Sequence, residues 1–314
     1  MMQEDLLERA CWFLLAFETK LPTRIIHSII QHWLHEGRTL QDFFAASPQD
    51  WSDICQLPEK YTEKLMYIRN NALPPQGMPL PLAQVLLLKQ LEREHIHMLT
   101  LLDRHYPISF KSAFKAEQLP PALCYMGDIA ILERQSIAII GSRNADESSL
   151  AFTREIAASL VAHGITIISG NARGVDSAAY EGTISANGYI TIVLPHGIHK
   201  LNKVQLQAMQ PGIDAGHILI LSQFHPDAPW LISRAMERNK VVTGLAQAVI
   251  VAESATQGGT WEGANGALKQ GRPLYVRQTD TSLPLIGNSA LIECGGRALP
   301  WSTDHIAETL LTVL

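Results

Sequence analysis

SIAIIGSRNADESSLAFTREIAASLVAHGITIISGNARGVDSAAYEG, residues 136–182, is the stretch that decides the fold of this chain. Two short apolar runs, at residues 137–140 and 165–168, lie on either side of a segment with a helical pattern. Both runs are apolar almost throughout rather than alternating, which is typical of strands covered on both faces. Two such strands joined through a helix predict a parallel pair.

The same alternation of strand and helix continues on both sides of this stretch. Further apolar runs lie at residues 189–194, 217–221, 248–251 and 273–276. Before the stretch, a helix is predicted over residues 83–94 and a strand over residues 97–102. Strands that alternate with helices predict an α/β fold with a mainly parallel, doubly wound sheet.

The N-terminal part of the chain has a different pattern. Ile25, Ile26, Ile29, Ile30 and Trp33 recur at helical spacing, and similar patterns between residues 6 and 70 predict three to five short helices. Residues 72–82, ALPPQGMPLPL, contain four prolines and one glycine and cannot continue a helix. We therefore predict a helical domain over residues 1–76 and an α/β domain over residues 77–314.

Composition excludes several classes of protein. The 25 basic and 30 acidic side chains of the 314 residues give a net charge of -5, so a uniformly basic nucleic-acid binder is excluded and any polyanion needs a local basic patch. The four cysteines are far apart and lack zinc-ligand spacing, so neither a disulfide framework nor a metal site is expected. With acidic residues before its first apolar run, and no run near the roughly 18 residues of a membrane span, the chain is expected to be cytoplasmic and without a membrane partner.

The residues that follow the predicted strands suggest a binding site, because ligands of doubly wound sheets bind beyond the carboxyl ends of the strands. Glycine lets a backbone approach a ligand closely, a helix start favours an anion, and an arginine fork suits phosphate oxygens. A phosphate-bearing ligand is the leading hypothesis, and tight strand-to-helix turns without a ligand are the alternative. The candidate residues are Gly141, Ser142, Arg143, Ser169, Gly170, Arg173, Gly174, Gly258, Gly259 and Thr260.

A second basic element spans residues 234–240. Arg234 and Arg238 are four residues apart and would share one face of a helix, which is either a solvated face or part of the binding groove. Asp176 precedes an alanine-rich helix and is expected to cap it rather than to act as an acid. The chain contains neither a GxGxxG nor a GxxxxGK[ST] fingerprint, which argues against a standard dinucleotide site or Walker-type hydrolysis.

These segments resemble, in the same order, the motif blocks of the DNA-processing protein A family, also called Smf. The blocks are IAIIGSRNA, IISGNARGVDSAAYEG, ILSQF, ERNKVVTGLAQAVIVAES, ALKQGRPLYV and GNSALI. The resemblance implies an extended Rossmann-like domain that binds single-stranded DNA, forms a homodimer and helps to load a RecA-type recombinase. It implies no enzymatic activity and no cofactor. It also implies that the N-terminal domain is similar to a sterile-alpha-motif-like or helix-hairpin-helix-like module.

Motif matching carries the family's phosphate contacts to Arg143, Arg173 and the block Arg238, Asn239 and Lys240. The chain departs from the family pattern at Gln223, which stands where the family has Glu, and around Gly258. Because it ends at Leu314, soon after GNSALI, it is expected to lack the C-terminal winged-helix domain of many members. Phe224, Trp230 and Trp261 are either base-stacking residues or part of the core.

Two alternative functions remain open from the sequence. Residues 257–263, QGGTWEG, are similar to the GGxGTxxE motif of phosphoribohydrolases, which would make the protein an enzyme or a binder of a nucleotide derivative. Glu262 stands one position early for that motif. Because one residue on a helix is a rotation of about 100°, its carboxylate is expected to point away from the position that the motif requires. A role in a defence or toxin–antitoxin locus is the other alternative.

Overall fold

A computed structural model of the chain describes residues 2–71, 81–278, 285–300 and 306–311. Contacts between residues divide the chain into two compact units. We call Met1–Tyr106 with Lys115–Cys124 the helical unit, and Pro107–Phe114 with Tyr125–Leu314 the α/β unit. The predicted domain boundary between residues 76 and 77 lies outside the described residues and stays a prediction.

Short helices make up most of the helical unit. They are α1 (Met2–Phe13), a π-helical turn (Leu14–Glu18), α2 (Thr23–Trp33), a 3-10 turn (Leu34–Glu36), α3 (Leu40–Ala45), α4 (Pro48–Cys55), α5 (Glu59–Asn71) and α6 (Leu82–Arg93), and strand β1 (His97–Thr100) follows them. The apolar spacing noted in the sequence buries Ile29 and Trp33 of α2. Trp33 packs edge-on against Phe43, with ring centroids 5.4 Å apart. The predicted helical character of residues 6–70 is confirmed.

Strands and helices alternate through the rest of the chain. The strands are β2 (Ala122–Gly127), β3 (Ser136–Ile140), β4 (Thr166–Ser169), β5 (Ile190–Val193), β6 (Ile218–Ser222), β7 (Ala248–Val251), β8 (Leu274–Arg277) and β9 (Arg297–Leu299). The helices are α7 (Ile108–Ala113), α8 (Glu147–Ala162), α9 (Val175–Ser185), α10 (Lys203–Asp214), α11 (Ile232–Leu245), α12 (Gly259–Lys269), α13 (Ile286–Glu293) and α14 (Ile306–Leu311). Short 3-10 turns occupy Ala116–Gln118, Ile129–Glu133 and Ile198–Lys200.

Seven of these strands form a parallel sheet in the order β6-β5-β4-β3-β7-β8-β9. Ile137 of β3 pairs with Ile167 of β4 on one side and with Ala248 of β7 on the other. The chain therefore builds outward from β3 in one direction and returns to add β7 on the opposite side. The order reverses between β3 and β7, and such a switch point is where doubly wound sheets bind ligands. The predicted α/β fold with a mainly parallel sheet is confirmed.

Candidate nucleic-acid interface

A cleft of about 590 Å³ opens at this switch point. The loops that follow β3, β4 and β7 supply one part of its lining, and α11 supplies another. The volume lies within the range typical of sites for nucleotide-sized ligands. The residues predicted to meet at one edge of the sheet therefore surround a concave site.

Most of the predicted site residues line this cleft. Those in the lining are Gly141, Ser142, Arg143, Gly170, Arg238, Asn239, Gly258, Gly259 and Thr260. Ser169, Arg173, Gly174 and Lys240 lie outside the lining; Ser169, Arg173 and Lys240 each adjoin a lining residue in the chain, and Gly174 is two residues from Ala172 and Asp176. Ser169 is buried, and its hydroxyl donates to the carbonyl of Ile139 at 3.0 Å, so it links two neighbouring strands.

Backbone hydrogen bonds hold the loops of the cleft together. The amide of Ser142 donates to the carbonyl of Glu253, and the carbonyl of Ser142 accepts from the amide of Val175. Gly174 has a φ of +78°, and a Cβ at this position would lie 2.3 Å from the Ser142 carbonyl oxygen. A glycine is therefore required where the loop after β4 approaches the loop after β3.

Two helices begin at the cleft with glycine N-caps. Gly174 precedes α9 and Gly258, with a φ of +95°, precedes α12, and among the described residues no side chain caps either helix. Uncapped amides in a first turn, together with the helix dipole, favour an anion. The prediction that Asp176 caps α9 is wrong, because Asp176 lies within the first turn and its carboxylate accepts from the amide of Ala172 at 3.1 Å.

Arg238 belongs to the lining of the cleft but is buried instead of extending into solvent. Its side chain is 4% exposed, and its guanidinium donates to the carbonyls of Gly170 and Val193. Burial lowers the pKa of Arg238, and the negative charge of Asp176 opposes that shift. Burial likewise raises the pKa of the Asp176 carboxyl, with the Arg238 charge acting in the opposite direction. Arg238 thus joins the ends of β4 and β5.

Asn239 extends this connection to α12. Its side-chain oxygen accepts from Nε of Arg238 at 3.2 Å, and its amide nitrogen donates to the carbonyl of Gly259 at 3.1 Å. Gly170 leaves room for the arrangement, since a Cβ there would lie 2.4 Å from Nη1 of Arg238. A hydrogen-bond network that runs from buried Arg238 through half-buried Asn239 therefore positions the loop after β4 relative to the start of α12.

The exposed cations around the cleft are not the pair Arg234 and Arg238, which the sequence placed on one helix face. Arg143, Arg173 and Lys240 are exposed, and Arg143 lies in the lining of the cleft. Arg234 is half-buried, with its guanidinium 5.6 Å from the ring centroid of Phe224. Arg234 and Arg238 do lie on one helix, as predicted, yet neither is part of a freely solvated basic face.

The three aromatic residues that could be either base-stacking or core residues have different surroundings in the structure. Trp230 is 47% exposed and lines the cleft, whereas Phe224 packs under Arg234 and Trp261 lies outside the lining.

Glu262, the carboxylate of the phosphoribohydrolase alternative, is exposed and also lies outside the lining. Within the described ranges, no group of three or more His, Cys, Asp or Glu side chains could hold a metal ion. The helices of the same ranges include none that could span a lipid bilayer.

A known protein family matches the part of the chain that contains these strands and loops. The sequence profile of the family described as DNA recombination-mediator protein A matches residues 97–311, which is more than half of the chain. The chain belongs to this family. The loops that line the cleft all lie within the matched region.

Several relatives are similar to this chain over shorter or longer ranges. Protein Smf of Escherichia coli is 28% identical over 186 residues, which cover 59% of this chain and 49% of that protein. The match thus spans about half the length of that relative. The DNA processing protein DprA of Bacillus subtilis is 28% identical over 68% of this chain and 71% of its own length.

Two solved structures are also similar. DNA processing protein A of Streptococcus pneumoniae has a TM-score of 0.71 at 21% identity and covers 93% of this chain and 94% of its own, which supports the fold. DNA processing protein A of Helicobacter pylori, whose structure is described for its single-stranded DNA binding mode, has a TM-score of 0.60 at 26% identity. That match covers 69% of this chain and 97% of the other.

Proposed function

We propose that this chain binds the phosphate backbone of single-stranded DNA in the cleft and acts in DNA recombination without catalysing a reaction. The observation that carries the proposal is the position of exposed Arg143 in a cleft that also contains the uncapped start of α12. A cation and free backbone amides bind phosphate oxygens without reading base sequence. The single-stranded DNA binding of the Helicobacter pylori relative supports the same ligand.

The shape of the site favours a single strand over a duplex. A cleft of about 590 Å³ accommodates a ligand of nucleotide size, whereas the stacked base pairs of a duplex keep the bases away from such a recess. An exposed aromatic residue beside cations is also the combination that single-strand binders use. Trp230 and Arg143 provide that combination here.

The carboxylates near the cleft support a binding role rather than catalysis. Asp176 is 8% exposed, accepts a backbone hydrogen bond and faces the positive charge of Arg238. Glu262 is exposed and lies outside the cleft lining. A general acid or base must come within hydrogen-bond distance of the reacting group, and this arrangement favours neither residue for that task.

The finer part of the proposal is a homodimer that assists a RecA-type recombinase. It rests on family membership, and no described residue is assigned to either contact. Light scattering should give the mass of two chains. Assembly of a recombinase on protein-coated single strands should become faster when this chain is added.

Fluorescence anisotropy of a labelled oligonucleotide tests DNA binding. We expect the single strand to bind more tightly than the duplex, and more weakly as salt is raised. Arg143→Ala and Arg173→Ala should each weaken binding similarly for different base sequences. Arg134→Ala is the matched control, because it removes the same charge from an exposed residue just before the amino end of β3.

Absence of binding at low salt would contradict the proposed function. Unchanged affinity in both the Arg143 and the Arg173 variant would contradict this site while leaving DNA binding itself intact. Equal losses in all three variants, Arg134→Ala included, would indicate a general effect of net charge.

A further inference from the structure

The helical unit carries a basic surface that the proposed function does not use. Residues 19–35, which include α2, contain two basic side chains and three histidines but no aspartate or glutamate. The two basic residues, Lys20 and Arg24, are exposed. The chain as a whole carries a net charge of -5, so this stretch departs locally from the charge of the molecule and attracts anions.

Two lysines of α5 extend this surface. Lys60 and Lys64 are four residues apart and share one face of the helix. The ammonium group of Lys64 donates to the carbonyl of Lys20 at 2.7 Å, which joins α5 to the turn before α2 and uses one of its three donors. We call Lys20, Arg24, Lys60 and Lys64 the α2–α5 patch.

Arg24 and Lys60 of the patch come together at Tyr61. The ammonium nitrogen of Lys60 lies 4.8 Å from the centroid of the Tyr61 ring. Desolvation raises the pKa of the Tyr61 hydroxyl, but hydrogen bonding by Arg24 and Lys60 and their charges outweigh it and hold that pKa below its ordinary value. Two cations thus converge on a neutral group, and an anion that joined them would relieve their mutual repulsion.

The patch lacks a neutralising carboxylate among the residues that the structure describes. Its four cations take no part in the ion pairs of those residues. Glu59 and Glu63 of α5 are exposed and adjoin Lys60 and Lys64 in the chain, yet neither pairs with them. The charges of the patch are therefore available to a ligand.

An exposed aromatic side chain accompanies these cations. Tyr67 is 68% exposed and lies on the same side of α5 as Lys60 and Lys64, which precede it by seven and three residues. Cations beside an exposed aromatic ring are the combination with which proteins bind single-stranded nucleic acid without reading its sequence. An acidic peptide would require only the cations, so the ring favours a nucleic acid as the ligand.

We propose that the α2–α5 patch is a second contact surface for single-stranded DNA, used by strands longer than the cleft can hold. The inference rests on the proposed function, because the cleft anchors the strand and the patch binds phosphates further along it. Two weak sites that share one flexible ligand reinforce each other, since contact at the first raises the local concentration of the ligand at the second. A short strand held by the cleft alone gains nothing from the patch.

The experiment compares oligo-dT of about 6 nucleotides, the site size of a single binding module, with oligo-dT of about 40 nucleotides. The full chain is used as wild type, as Arg143→Ala and as the double variant Arg24→Ala/Lys60→Ala. On the long strand at about 0.1 M salt, the double variant should bind about tenfold more weakly than the wild type. The slope of log K against log salt should fall in magnitude by about 1.4, or about 0.7 for each cation. On the short strand, affinity and slope should equal the wild-type values.

A matched control lies on α6 of the same unit. Lys89 and Arg93 are exposed, four residues apart and of the same two residue types, but Glu92 lies between them in the chain. The double variant Lys89→Ala/Arg93→Ala should therefore bind both strands as the wild type does. Arg24→Lys/Lys60→Arg, which keeps both charges of the patch, should retain the affinity for the long strand.

Wild-type affinity of Arg24→Ala/Lys60→Ala for the long strand would overturn the inference and leave the patch to another class of partner, such as an acidic protein. An equal loss on both strand lengths, or the same loss in Lys89→Ala/Arg93→Ala, would also overturn it, because either would indicate a general effect of folding or net charge. If those results occur while Arg143→Ala weakens binding of both strands, the proposed function survives and only the second contact fails. If the wild type binds neither strand, both fail.

Discussion

Arg143 and Arg238 carry the same charge in opposite surroundings. Arg143 is exposed at the cleft, where its guanidinium can pair with a phosphate of a ligand. Arg238 is buried and donates to two strand-end carbonyls, so its hydrogen-bonding capacity serves the protein itself. A buried guanidinium is stable only when it is hydrogen-bonded and faces a negative charge, which Asp176 provides. The two residues should therefore differ in what their removal changes.

Substitution of Arg238 tests this difference. Arg238→Gln should lower the free energy of unfolding by about 3 kcal/mol, because it leaves the Asp176 carboxylate and the carbonyls of Gly170 and Val193 without their partner. Arg143→Ala should change that free energy by less than about 0.5 kcal/mol, as is usual for a surface residue. Urea denaturation of both variants checks the prediction. Similar unfolding free energies would show that Arg238 does not stabilise the strand ends.

The sequence could identify the loops of the site but not the role of each residue within them. Glycines after predicted strands located the cleft, since the carboxyl ends of parallel strands meet at one edge. The spacing of Arg234 and Arg238 indicated a shared helix face and left open whether that face meets water or the sheet. Burial of Arg238 depends on how α11 packs against β4 and β5, which is a tertiary contact that helical spacing does not encode.

At the scale of elements, the predicted strands match the observed ones to within one or two residues. Strands such as β3 and β7 are buried on both faces, so their whole sequence is apolar and stands out from the helices around them. The sequence did not predict β2, which follows two prolines, or β9, which is only three residues long. The first two residues of β9 are exposed, so it lacks the apolar run that marked the others.

The capping boxes at the starts of α3 and α4 give a prediction at this scale. The Ser47 hydroxyl accepts from the amide of Asp50 and donates to its carboxylate, which also accepts from the amide of Ser47. The two bonds to the carboxylate, first that from the hydroxyl, hold the pKa of Asp50 below its ordinary value. Ser47→Ala should lower the unfolding free energy by about 1 kcal/mol at neutral pH. Ser52→Ala, the same change in the middle of α4, should alter it by less than about 0.5 kcal/mol.

The effect of Ser47→Ala should depend on pH in a defined direction. A carboxyl whose pKa is lowered in the folded state stabilises that state above its unfolded pKa, and this contribution is lost as pH falls through the folded value. The difference between wild type and variant should therefore shrink from neutral pH to about pH 3, below the ordinary pKa of aspartate. Urea midpoints at both pH values measure it. A difference that grows on acidification would contradict the role of the Asp50 carboxylate.

At the scale of the whole molecule, local and net charge oppose each other. The chain carries a net charge of -5, which repels a polyanion at distances within the Debye length of about 10 Å at 0.1 M salt. The DNA binding proposed for this chain therefore requires a few cations at the cleft and its margins. The exposed ones in the loops after β3 and β4 and on α11 are Arg143, Arg173 and Lys240, while buried Arg238 is engaged within the protein.

The small number of exposed cations at the cleft predicts that the affinity for short single-stranded DNA depends only weakly on salt concentration. Each phosphate neutralised on a single strand contributes about −0.7 to the slope of log K against log salt, so three exposed cations give a slope of about −2. Arg143→Ala should reduce the magnitude of that slope by about 0.7, and Arg134→Ala should leave it unchanged because Arg134 precedes the opposite end of β3. Anisotropy titrations over a series of salt concentrations measure both slopes. A much steeper wild-type slope would mean that cations beyond these three contact the strand, and an unchanged slope in Arg143→Ala would remove Arg143 from the phosphate path.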